Sequence, residues 1–285
     1  MIPSPFEYQA PESVAGIVSL LGDGDGAARI LAGGTWLVPD LNRGEVTARL
    51  VVDLRRAGLG AIAVEGDVLR IGAAATYADL LASLNVRERA PLLTRMAAGI
   101  TGGSAIRAQG TVGGSLMAAR PQSDVPAVLV ALDGWGVLAG PEGQRRVQVR
   151  DLIAGPMRTT AATAEVLLRI ELPVGGPSRA HGYVKLKRGA SSWPIATASA
   201  LLEVDAEGSC VAAHLPLGGV SGRPVDVDVQ QALVGRSRSA DALAAVGDLA
   251  AAAVVDPWDD VLAPGSYRAA VAAPVARRAL EAAWS

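Results

Sequence analysis

Cysteine is nearly missing from this chain: Cys210 is the only one in 285 residues. That excludes an internal disulfide framework and any cysteine-ligated cluster or zinc site built within the chain. Histidine is almost as scarce, and His181 and His214 leave little room for histidine-based catalysis or metal binding; both read as surface or packed residues. Neither sign of charge is in excess. With 26 basic and 28 acidic residues the net charge is −2, which offers no field to draw in nucleic acid or an anionic membrane. No apolar run reaches the roughly 18 residues that span a bilayer. The opening MIPSPFEYQAPES has neither the basic start nor the apolar centre of a signal peptide. The expectation is a soluble, cytoplasmic protein. Two catalytic motifs are also absent. Without GxxxxGK[ST] there is no P-loop hydrolysis of a triphosphate. No serine stands in GxSxG, since Ser104 and Ser115 are followed by Ile106 and Met117 where the second glycine belongs.

What is present is apolar. Hydrophobic residues make up 50% of the chain and charged residues 19%, the composition of a globular protein able to bury a full core, as one large domain or two modest ones. Apolar periodicity predicts helices over 14–21, 92–98, 125–132, 240–254 and 266–283. Thr76 with Asp79 and Pro91 mark further helix starts. Strands are predicted at 29–31, 50–54, 62–64, 68–71, 135–139, 145–149, 166–172, 182–187, 196–204 and 211–216, with a tight turn at Glu65-Gly66-Asp67. Residues 1–10 read as an extended arm. The run Gly22-Asp23-Gly24-Asp25-Gly26 imitates a dinucleotide fingerprint. It lacks a preceding strand and the third glycine, and its aspartates would face a pyrophosphate, so it reads as a turn. Pro173-Val174-Gly175-Gly176-Pro177-Ser178 is the best candidate linker. Short strands and helices mixed without a regular βαβ repeat indicate an α+β fold.

Two glycine pairs carry the functional reading. Ala32-Gly33-Gly34-Thr35 follows a strand, and Thr111-Val112-Gly113-Gly114-Ser115 lies far downstream. Paired glycines allow positive φ, so that neighbouring N–H groups converge on a phosphate, and the flanking hydroxyls add donors. With 33 glycines in the chain, either pair alone reads equally as a tight connection. The second pair is followed by Asp124, which could accept bonds from ribose hydroxyls or cap the helix behind it. Few histidines and cysteines beside a dinucleotide-like site suggest that a bound cofactor carries the chemistry.

Three segments carry a resemblance: AGGTxLxPxLxRG from Ala32, IRAQGTVGGSLMxAxPxSDxPAxLxALD from Ile106, and YVKLKR from Tyr183. In order and spacing they resemble the FAD-binding medium subunit of molybdenum hydroxylases, the carbon-monoxide-dehydrogenase and xanthine-dehydrogenase type. The resemblance covers nearly the whole chain. It implies the vanillyl-alcohol-oxidase (PCMH-type) flavin fold: FAD-binding subdomains over 1–57 and 58–175 and a C-terminal sheet-and-helix subdomain over 176–285. It also implies non-covalent FAD here, with the molybdenum cofactor in a large molybdopterin-binding subunit and two [2Fe–2S] clusters in a small iron–sulfur subunit. The assembly would be a dimer of heterotrimers that passes electrons through FAD to an external acceptor. The implied FAD residues are Ala32, Gly33, Gly34, Thr35 and Trp36 in the first loop, and Thr111, Val112, Gly113, Gly114 and Ser115 in the second. Asp124 falls on the ribose side, Thr101 in the flavin pocket, Leu167 on a contacting strand, Lys185 near the ring and Ile195 packed against it.

The chain departs from the family pattern in several places. Ala105 and Ala108 stand where polar residues are usual, Trp36 replaces a small or acidic residue, and Trp193-Pro194 replaces a common Gly-Asp. These departures bear on the hydrogen bonding near the ring and on the acceptor rather than on FAD binding. The alternatives are a stand-alone small oxidase or reductase of the same fold, and a nucleotide-binding regulatory module without redox turnover.

Overall fold

The computed structural model describes residues 2–24, 26–175 and 179–285. Asp25 of the glycine-aspartate turn and Gly176, Pro177 and Ser178 of the candidate linker lie outside the described residues.

The chain opens with β1 (Glu7–Gln9), α1 (Val14–Asp23), β2 (Ala28–Leu31), α2 (Leu37–Arg43) and β3 (Leu50–Asp53). The arm expected at the N-terminus thus contributes a strand. β1 pairs in parallel with β3, which also pairs in parallel with β2, giving the order β1-β3-β2. Parallel neighbours need crossovers, and α1 and α2 supply them. Ser13 caps α1 by accepting the Gly16 N–H. The helix then buries Ile17 and Leu21 against Leu50 and Val52, and against Ala139, Val166 and Leu168 of the next sheet.

The second sheet comprises β4 (Ile62–Glu65), β5 (Val68–Gly72), β6 (Trp135–Gly140) and β7 (Gly143–Gln148). After the small hairpin of β8 (Ile153–Gly155) and β9 (Arg158–Thr159), β10 (Val166–Pro173) inserts at its centre, in the order β4-β5-β10-β6-β7 with every pairing antiparallel. Between β5 and β6 run α3 (Tyr77–Ala82), α4 (Leu84–Arg89), α5 (Pro91–Ala98), α6 (Gly103–Gln109), α7 (Val112–Ala118) and α8 (Val125–Ala131), and one turn, α9 (Val149–Leu152), follows β7. The capping box of Thr76 and Asp79 starts α3 as its sequence requires. Leu69, Ile71, Leu138, Ile170 and Leu172 of the sheet meet Leu80, Leu93, Met96, Val112, Leu116 and Leu129 of the helices in one core.

The last part of the chain forms β11 (Arg179–Lys187), β12 (Pro194–Val204), β13 (Cys210–His214), β14 (Pro216–Gly218) and β15 (Val225–Asp226), ordered β11-β12-β14-β15 with β13 also on β12. α10 (Gln230–Leu233), α11 (Ala240–Ala253) and α12 (Gly265–Ala283) follow, and α12 packs on β11 and β12. The small side chains of Ala196, Ala198 and Ala200 in β12 meet Ala272, Ala276 and Ala279 of the helix in a tightly packed core. α5 packs on β11, and α8 packs on β12 and β14. This sheet therefore closes over α8, which packs on the helix that carries the second glycine pair, α7.

Candidate cofactor-binding site

The two glycine loops touch. A Cβ at Gly33 would stand 1.9 Å from the Gln109 carbonyl oxygen and 3.0 Å from Gly110 Cα, so only glycine permits this backbone approach. One at Gly114 would lie 2.6 Å from Thr111 Oγ1 and 3.5 Å from Ala32 Cβ.

The loops are not equivalent, which corrects the expectation of two positive-φ nests. Gly34 alone of the four glycines has positive φ, at 70°. The N–H groups of Gly34, Thr35 and Trp36 make no hydrogen bond to another described residue. Successive N–H donors without partners are a cradle for an anion. In the second loop, Thr111 caps α7: its Oγ1 accepts the Gly114 N–H at 3.1 Å and its carbonyl accepts the Ser115 N–H at 3.1 Å. Val112 and Gly113 donate to Ala75 and Ala73 at 3.0 and 3.1 Å. Gly113 and Gly114 are thus the first turn of a helix, and their amides are already engaged. Their small size has a packing cause, because a Cβ on Gly113 would fall 2.5 Å from the Ala73 carbonyl oxygen.

A cleft of about 470 Å³ lies beside the contact. It is lined by Ala32, Gly33, Gly34, Thr35 and Trp36, by Thr111, Gly113, Gly114 and Ser115, and by Leu167. Leu167 sits at a register irregularity of β10, the kind of bulge that re-aims a side chain. A second cleft of about 210 Å³ shares Thr35, Trp36 and Ser115 with the first, and adds Tyr77, Ile100, Thr101, Ile106, Asp124 and Trp193. At the junction the Trp36 and Trp193 rings are 4.7 Å apart, tilted by 46°. The Arg120 guanidinium rests 4.6 Å from the Trp36 ring centroid. Three expected residues line neither cleft. Val112 is wholly buried in the core, Ile195 is buried at the start of β12, and Lys185 lies in β11 beneath the second cleft. Ala105 and Ala108 lie on the exposed side of α6, where Ile106 is the residue that faces the cleft.

Asp124 does not cap α8, because its side chain makes no cap bond. One carboxylate oxygen accepts the Tyr183 hydroxyl and the other accepts Lys185 Nζ at 2.9 Å. Lys185 also donates to the Gly99 carbonyl at 3.0 Å and to Thr101 Oγ1 at 3.2 Å. All three of its N–H bonds are engaged, and its ammonium forms a buried ion pair with Asp124. Burial lifts the Asp124 carboxyl above the ordinary carboxylate range, against the opposing pull of Lys185 and the Tyr183 hydroxyl. Burial, then the charge of Asp124 and its hydrogen bond, raise Tyr183 in turn. Tyr77, whose hydroxyl bonds Ser115 Oγ, is raised mainly by burial. Tyr77, Tyr183 and Arg120 are the polar residues here that sequence reasoning overlooked. Tyr183 could have been found, since it alternates with Lys185 in a strand and so shares its face. Arg120 carries no such signal.

Residues 4–175 match the family described as FAD binding domain in molybdopterin dehydrogenase, and residues 181–283 match the CO dehydrogenase flavoprotein C-terminal domain. The chain is 33% identical over 289 residues to the carbon monoxide dehydrogenase medium chain of Hydrogenophaga pseudoflava, covering 100% of this chain and 99% of the relative. It is 30% identical to the 6-hydroxypseudooxynicotine dehydrogenase complex subunit alpha of Paenarthrobacter nicotinovorans, covering 98% and 95%. Among solved structures, the carbon monoxide dehydrogenase of Hydrogenophaga pseudoflava that lacks the Mo-pyranopterin moiety superposes with a TM-score of 0.95 at 32% identity, over 100% of this chain and 99% of that one. The fold is accordingly the α+β flavin-binding architecture of these proteins, and the chain belongs to the family of FAD-binding medium subunits of molybdenum hydroxylases.

Proposed function

We propose that this chain holds FAD non-covalently across the two clefts and serves as the flavin subunit of a molybdenum hydroxylase. The observation that carries the reading is the row of N–H groups at Gly34, Thr35 and Trp36 that bond no other described residue, on the larger cleft beside its border with the second. Two neighbouring cavities that share Thr35, Trp36 and Ser115 suit an elongated ligand with an anionic middle, and a dinucleotide is such a ligand. In this reading Ala32 to Trp36 hold the diphosphate through their backbone. Thr111, Val112, Gly113, Gly114 and Ser115 hold the first loop in place, with the Ser115 hydroxyl facing both clefts. Leu167 borders the larger cleft. Thr101 lines the smaller one, and Asp124, Lys185 and Ile195 support its floor. The spread of the three sheets, over 7–53, 62–173 and 179–226, supports subdomains at 1–57, 58–175 and 176–285.

Bound there, FAD would supply the redox chemistry, with [2Fe–2S] clusters in a small partner subunit as the electron source and an external acceptor as the destination. The substrate is oxidised at a molybdenum cofactor in a large partner, and the assembly is a dimer of heterotrimers in the cytoplasm. Among the described residues no helix is long and apolar enough to cross a membrane. Purification under native conditions tests the proposal. Co-elution with a large molybdenum-containing chain and a small iron–sulfur chain, with a yellow chromophore bleached by dithionite and restored by reoxidation, is expected. A lone polypeptide with only flavin absorbance would replace it with the stand-alone flavoprotein, and a protein without flavin would end both.

A further inference from the structure

The amides of Gly34, Thr35 and Trp36 carry partial charge only, whereas a dinucleotide's diphosphate brings full negative charges. The cations and anions that border the larger cleft are Arg29, Asp40, Arg120 and Glu165. Arg29 turns back to the Gly26 and Ala28 carbonyls, at 2.8 and 2.9 Å. Glu165 is paired with Arg145 at 2.6 Å. Arg120 stands apart from these. Its guanidinium lies over the Trp36 ring, next to the first loop. Among the described residues, its one hydrogen-bond partner is Asp40, which engages one terminal nitrogen and leaves the rest of its five N–H donors unengaged there. Asp40 is buried, 5% exposed, and is fixed from the other side by Arg43 at 2.6 Å, which also bonds Glu45 at 2.7 Å. The aromatic face and the buried carboxylate together hold the guanidinium plane in one orientation, with most of its donors unengaged by the described residues.

We propose that Arg120 is the charge anchor of the diphosphate, and that Trp36 and Asp40 are the residues that orient it. This rests on reading the clefts as an FAD site and adds a side chain to it. A guanidinium matches two phosphate oxygens at once, while a lysine ammonium does so only as a point charge. Arg120 would therefore govern affinity for the diphosphate half of the ligand and leave the ring half unaffected.

The test uses the full chain freed of flavin and titrated with FAD, ADP and riboflavin, with Trp fluorescence as the readout. Arg120→Met keeps an apolar stem on Trp36 and removes the charge. It should weaken FAD and ADP by the same factor, roughly 10- to 100-fold for a charge-assisted contact, and leave riboflavin unchanged. Arg120→Lys should recover part of the loss and keep the Asp40 pair, so it stands in should the methionine variant fail to fold; its FAD and ADP losses should again match, with riboflavin unmoved. An equal loss for riboflavin, or no loss for ADP, in either variant would overturn the role. Gly33→Ala separates this from the site itself, because it drives the loops apart whatever Arg120 does. Loss of FAD in Gly33→Ala with full retention in both Arg120 variants sinks the anchor and keeps the site. Failure of the unmutated chain to take up FAD sinks the site reading itself.

Discussion

Lys185 and Asp124 hold each other at 2.9 Å with side chains only 8% and 7% exposed. At that burial the pair matters less for its attraction than for the penalty of breaking it. Removing one member leaves a charge without a partner in low dielectric, at about 3–5 kcal/mol, whereas replacing both with neutral groups can be nearly neutral. Lys185→Met should therefore lower the urea midpoint sharply, by a sizeable share of the roughly 5–15 kcal/mol that holds a domain together. Adding Asp124→Asn should restore much of it. If the double variant is no better than the single one, the pair is not acting as a unit. The same geometry shows what the sequence left hidden at Lys185. The alternation of YVKLKR fixes which residues share a face, but not that Asp124, Gly99 and Thr101 arrive opposite Lys185 from another part of the fold.

At the scale of elements, Glu171 shows how one carboxylate ties strands across a sheet. On the central strand β10 it takes Arg169 from its own strand at 2.9 Å and Arg146 from β7 at 2.9 Å, with Arg70 of β5 3.6 Å away. Burial pushes its carboxyl up, but Arg169 and Arg146 outweigh that and hold it below the ordinary glutamate range of 4.5. In the unfolded chain the group takes up a proton sooner as pH falls, so its stabilisation is present above the ordinary value and lost as pH falls through the folded one. Glu171→Gln should lower the thermal midpoint at pH 7, by the equivalent of about 1 kcal/mol given the partly exposed arginines. The gap from the unmutated chain should close in acid, and a gap that is constant from pH 7 to 3 would show that charge is not its cause. Most elements of this sheet were legible, because hairpins and β-rich runs announce themselves locally. α6 and α7 were not. Gly102, Gly103, Gly110, Gly113 and Gly114 punctuate them, and glycine costs a helix about 1 kcal/mol per residue. In α7, contact of Val112 and Gly113 with Ala75 and Ala73 offsets that penalty. β1 read as an arm for the opposite reason: three exposed residues have no periodicity, and only pairing with β3 makes them a strand.

Across the whole molecule, the glycine loops and their hydroxyls were visible in the sequence, while Arg120, Tyr183 and the Trp36–Trp193 contact depend on distant parts of the chain meeting. The last sheet matters most to that meeting. It supplies Tyr183 and Lys185 to Asp124, and Trp193 to the second cleft. It also covers α8, in which Val125, Ala127, Val128, Leu129, Val130 and Ala131 are all 3% exposed or less. Two successive units can look separable when a family boundary falls between them, at 175 and 181 here. The packing of α8 on β12 and β14 argues otherwise. A chain ending at residue 175 would expose one side of an all-apolar helix and leave Asp124 without either of its donors. Each buried aliphatic side chain so uncovered forfeits up to about 1.5–3 kcal/mol, so a few of them exceed what a domain can lose. The truncated chain should elute as aggregate and melt without a sharp transition. A monomer on size exclusion with a cooperative melt would mean that the N-terminal 175 residues are an independent unit and that the last sheet only borders the site.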